Sequence, residues 1–109
     1  MAYDESLAAR VRPILQEDPG LDERKMFGGI AFLINGNMAC GVHTDNLIVR
    51  LDRADYDEAL SRPGTAVFDL TGKPMKGWVL VAPEAVEDDA DLEGWVRQGM
   101  EFAQSLPPK

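Results

Sequence analysis

The chain has 109 residues, 45% hydrophobic and 28% charged, which is enough for one domain with one core and no need of disulfides or a structural metal. Its net charge of −8 argues against non-specific binding to nucleic acid or anionic membrane, because neutralising phosphate takes clustered Lys and Arg. A single cysteine, Cys40, rules out an internal disulfide and fits a reducing cytoplasm, and neither a signal peptide nor a membrane span is expected from the polar N-terminus and the short apolar runs.

Residues 4–17 read as a helix, with Leu7, Val11, Ile14 and Leu15 on one apolar stripe. Pro13 conflicts with it and predicts a bend or an early end. Asp18-Pro19-Gly20 is a stop, and Arg24-Lys25 leads into the central feature of the chain, the hairpin region 25–51. Asn35-Gly36 separates two apolar runs and predicts a type I′ turn. A two-residue loop then sets Ile34 opposite Asn37, Leu33 opposite Met38, Phe32 opposite Ala39, Ala31 opposite Cys40 and Ile30 opposite Gly41. One face would carry Ala31, Leu33, Met38, Cys40 and Val42. The other would carry Ile30, Phe32, Ile34, Ala39 and Gly41.

His43 to Asn46 is a turn, and Leu47 to Leu51 a third strand with Leu47, Val49 and Leu51 on one face. Asp52 is a good N-cap for a short helix, roughly 53–61, whose apolar side is Tyr56, Ala59 and Leu60. Ala66 to Phe68 reads as a short strand, Asp69 to Gly77 as a loop, and Trp78 to Ala82 as a strand apolar on both sides and therefore central. The acidic stretch Glu84 to Glu93 leads into a helix over 89–105 with the stripe Leu92, Trp95, Val96, Gly99, Phe102, Ala103 and Leu106. The order α-β-β-β-α-β-β-α with a mainly antiparallel sheet is α+β, in one domain over 1–109.

No catalytic, cofactor or metal site is expected. Cys40 and His43 are three apart and point to opposite faces of a continuous strand, and an apolar setting makes the thiol inert. The acidic cluster at 84–93 lacks the ligand spacing of a calcium loop, and Gly72-Lys73 lacks the pattern of a phosphate loop.

Lys25-Met26-Phe27-Gly28-Gly29-Ile30-Ala31-Phe32, Asn37-Met38-Ala39-Cys40-Gly41-Val42 and Gly72-Lys73-Pro74-Met75-Lys76-Gly77-Trp78-Val79 resemble the N-terminal domain of the TfoX (TfoX/Sxy) family, as does the ending Phe102 to Lys109. The likeness runs over nearly the whole chain in the family's order. It implies an α+β domain similar to type III secretion chaperones. Full-length members regulate competence genes and carry a second, C-terminal helical domain. This sequence ends at Lys109, so a stand-alone domain is the expectation, with no catalytic residues to transfer.

Arg24, Lys25, Lys73 and Lys76 fall in the most family-like segments, interleaved with Met26, Phe27, Met75 and Trp78. If the segments lie side by side they form a basic, apolar-anchored patch suited to a protein partner. The alternative is that Phe27 and Trp78 are core and the lysines cover its rim. The reading is a non-enzymatic domain acting through contacts with an unidentified protein. Its rivals are a small enzyme of unidentified class and a nucleic-acid binder using Lys25, Lys73 and Lys76. Two apolar sheet faces also predict a homodimer through Ile30, Phe32 and Ile34, because the short middle helix offers little cover for a second face.

Overall fold

Each of the three α-helices among the described residues starts on an aspartate. In the computed structural model, which describes residues 3–26, 29–68 and 76–108, Asp4 precedes α1 (Glu5–Leu15), Asp52 precedes α2 (Arg53–Leu60) and Asp88 precedes α3 (Asp89–Ser105). Each carboxylate accepts backbone N–H groups of the first turn: Ser6 and Leu7, Ala54, and Ala90 respectively. Pro13 lies inside the last turn of α1, which ends at Leu15 rather than at residue 17. Proline has no N–H to extend the ladder, so the chain leaves the helix soon after it.

Among the described residues six strands form one sheet: β1 (Leu21–Met26), β2 (Gly29–Ile34), β3 (Asn37–His43), β4 (Asn46–Arg50), β5 (Thr65–Val67) and β6 (Trp78–Val81). Their order is β1-β2-β3-β4-β6-β5, and every neighbouring pair is antiparallel. β4 and β5 both oppose β6, so they run parallel to each other and α2 is the crossover between them. β6 lies inside the sheet, as its two apolar sides predict.

β1 is an addition to the expected order. Its Asp-Glu-Arg-Lys run shows no apolar alternation, but an edge strand is where such charges belong, since they discourage pairing with another sheet. Glu23 turns toward the helices and receives a two-pronged ion pair from Arg12 of α1 at 2.7 and 2.9 Å, which ties the edge down.

The Asn35-Gly36 turn forms as predicted, with φ of 52° and 85°. Ile34 pairs with Asn37 and Leu33 with Met38, but then the register shifts. Phe32 meets Cys40, Ala31 meets Gly41 and Ile30 meets Val42. Ala39 is the extra residue of a bulge, and both Ala39 and Cys40 enter the same core cluster. The predicted faces are corrected accordingly. Cys40 and Val42 join Ile30, Phe32 and Ile34, while Gly41 moves to the side of Ala31, Leu33 and Met38.

All three helices cover the first of these faces. Leu7, Val11 and Leu15 of α1, Tyr56 and Ala59 of α2, and Leu92, Trp95, Val96, Met100 and Ala103 of α3 pack with Ile30, Phe32, Ile34, Val49 and Val79 in one cluster. Ile30, Phe32 and Ile34, expected as a dimer face, are therefore core: Phe32 and Ile34 are 0% exposed. The opposite face holds a smaller cluster of Ala31, Leu33, Met38, Ile48 and Phe68, flanked by half-buried Trp78 and Leu80. Its most accessible buried member is Met38 at 8%. Among the described residues, the buried members of both faces are at most 8% exposed.

Cys40 is wholly buried on the helix side, and burial pushes its thiol far above the ordinary range. Ellman's reagent is expected to leave the native protein unmodified while reacting fully with the denatured chain. Rapid stoichiometric labelling in plain buffer would contradict the packing.

Candidate functional site

The described parts of the two basic segments lie apart in the sheet. β1 carries Arg24 and Lys25 at one edge of the sheet, whereas Trp78 begins β6 with β2, β3 and β4 between them. At the usual strand spacing the separation is roughly 19 Å. Arg24 is also ion-paired to Asp22 at 3.1 Å. Lys25 and Lys76 are exposed. Phe27, Lys73, Met75 and the side chain of Met26 lie outside the described residues. Trp78 is half-buried and carries its own cation: the Arg50 guanidinium lies 5.3 Å from its ring and 5.4 Å from that of Phe102. Arg50 belongs to β4, so the sequence neighbours of Trp78 could not reveal it.

Cys40 and His43 also part. Cys40 faces the helices, while His43 stacks edge-on against Phe68 in the opposite cluster, 6.4 Å between ring centres. Among the described residues no group of three His, Cys, Asp or Glu is placed to hold a metal ion. No helix among them is long and apolar enough to cross a membrane.

A cleft of about 730 Å³ opens elsewhere, between the turn after α2, the 3-10 turn Pro83–Val86 and the first half of α3. Pro63 and Gly64 form one wall and Glu84 and Ala85 another, while Ala90, Asp91, Gly94, Trp95 and Gln98 come from α3. This volume falls within the range of ligand and peptide sites. The walls are held in place. The Arg62 guanidinium lies 4.5 Å above the Trp95 ring and donates two hydrogen bonds to Glu58, at 2.9 and 2.7 Å. Those bonds raise the pKa of Arg62 and lower that of Glu58, so both stay charged and engaged with each other. Arg10 of α1 braces the far wall by donating to the Val86 and Glu87 carbonyls and to Asp89.

Gly94 is the unusual member. A glycine inside a helix costs about 1 kcal/mol relative to alanine. Packing can justify that, but a Cβ built at Gly94 meets nothing within 4 Å. Gly94 is exposed and lines the cleft, so a side chain there would enter open space. Gly94→Ala is expected to raise stability by about 0.5–1 kcal/mol, read as a melting temperature a few degrees higher. A lower melting temperature would show the space to be occupied. The only sequence signal for this site is a glycine on the polar side of the cleanest helical stripe. The cleft itself draws on residues 62–64, 84–85 and 90–98, which only the fold brings together.

The architecture is an α+β domain, a six-stranded antiparallel sheet among the described residues with its helices on one side. The TfoX N-terminal domain family matches the chain over residues 13–103, and the chain belongs to that family. No curated protein and no solved structure matches it.

Proposed function

We propose that this domain is a non-enzymatic binding module that acts through protein contacts, in the competence-related regulatory setting associated with its family. One observation carries the reading: the cleft beside Trp95 is lined by both apolar and charged groups, with the Arg62 guanidinium stacked on the Trp95 ring. Arg62, which lines it, is engaged by Glu58, and the Glu84 and Asp91 carboxylates beside it suit recognition of a cationic partner. The lone free cysteine, buried in the core, agrees with work in a reducing cytoplasm.

The test is affinity capture from the source cell with the immobilised domain, followed by quantitative mass spectrometry. The expected result is one protein retained in near-stoichiometric amount and released by excess free domain. A capture in which nothing is competed by free domain would remove this reading.

A further inference from the structure

We propose that the cleft between the turn after α2 and the first half of α3 binds a basic peptide segment of the partner, with a small apolar side chain seated over Gly94 and a Lys or Arg directed to Glu84 and Asp91. This rests on the binding-module reading above and specifies its site and its ligand chemistry.

Three features support it. The first is room. Gly94 and Gly99 lie five positions apart on the same helix, yet a Cβ at Gly99 would fall 2.3 Å from the Ala39 carbonyl oxygen, while one at Gly94 would touch nothing. Gly99 is explained by packing and Gly94 is not. Gly94 is exposed at the cleft, and the open space above it is the proposed socket for a partner's side chain.

The second is charge. Glu84 and Asp91 are exposed at the cleft, and neither carboxylate is ion-paired among the described residues. Arg62 is neutralised by Glu58 and presents no free positive charge to repel a cation. The chain as a whole carries −8. Lys or Arg meeting these carboxylates is the complementary arrangement, and the Pro63, Ala85, Ala90 and Trp95 surfaces in the same lining favour a peptide over a free cation.

The third is preorganisation. Trp95 is 6% exposed, held between the core and the Arg62 guanidinium, so the cleft wall does not have to order itself on binding. Gln98, half-buried at the cleft, offers a donor and an acceptor to an extended peptide backbone.

The probe is a phage-displayed library of random short peptides selected on the full chain, with the enriched sequences then synthesised, labelled and titrated by fluorescence anisotropy. The expected result is enrichment of net-positive sequences carrying an apolar residue. Their affinity should fall about tenfold or more in Gly94→Leu and in the double variant Glu84→Lys/Asp91→Lys. Gly94→Leu fills the socket while improving helix propensity, so it should melt no lower than the parent. Absent enrichment, neutral or acidic sequences, or binding undiminished by Gly94→Leu would each overturn the proposal. Loss in the charge-reversed variant alone would mean diffuse attraction to an acidic surface and would overturn it as well. A native partner captured equally by Gly94→Leu would remove the cleft and leave the binding-module reading intact.

Discussion

Gly99→Val is expected to destabilise the domain by about 3 kcal/mol or more, out of a total of roughly 5–15 kcal/mol for a chain of this kind. Gly99 is the point where α3 rests on β3. Even a single methyl group there would lie 2.3 Å from the Ala39 oxygen and 3.2 Å from a Val49 methyl. The first obstacle is a backbone atom, which no rotamer change can move. It also belongs to the bulged residue of β3, whose position is set by the register shift on one side and the Asn35-Gly36 turn on the other. Relief therefore requires α3 to lift from the sheet, separating Val96, Met100 and Ala103 from Ala39, Cys40 and Val49. Helix propensity works the other way, since replacing glycine gains a few tenths to about 1 kcal/mol. That gain is smaller than the cost of overpacking. Urea denaturation should show a lower midpoint with an unchanged slope. The opposite sign at Gly94, on the same helix, makes the pair a control on each other. A neutral Gly99→Val would mean that α3 does not approach β3 this closely.

Phe32→Ala is expected to cost about 3–5 kcal/mol. Phe32 is 0% exposed and is the largest fully buried side chain among the described residues, seated on β2 in the cluster that the helices cover. Removing its ring deletes apolar burial and leaves a cavity that a sheet clamped by helices cannot collapse around. The same residue separates two accounts of this face. As core, Phe32 stabilises the monomer, and the parent's melting temperature does not depend on protein concentration. As a dimer contact, it would make that melting temperature rise with concentration. Melts of the parent and of Phe32→Ala over a dilution series decide between them. A concentration-dependent parent with a variant that stays folded would return Ile30, Phe32 and Ile34 to an interface.

The sequence by itself determined what short-range chemistry controls. Asn35-Gly36 is a hairpin because both positions need positive φ, and the neighbours of the turn pair as that geometry demands. Asp52 caps its helix because a side-chain oxygen two residues upstream reaches the free N–H. The stripe of α3 and the two apolar sides of β6 are legible because helical and strand periods sort residues onto faces without reference to the rest of the chain. The family motifs run through these same segments.

Only the tertiary structure decided the rest. The bulge at Ala39 depends on how β3 meets β2 and α3 together, and that single extra residue transfers Cys40 and Val42 to the other face. β1 is a strand because β2 offers an edge to pair with. Its own charges predict only that it is exposed. The gathering of all three helices on one side turned an expected interface into the core. Arg24 and Lys25 on β1 and Trp78 on β6 are set apart because β2, β3 and β4 lie between those strands. The cleft has the same origin. Its walls lie up to 36 positions apart in the chain, from Arg62 to Gln98, and no local pattern encodes a space that exists only where distant elements stop short of touching.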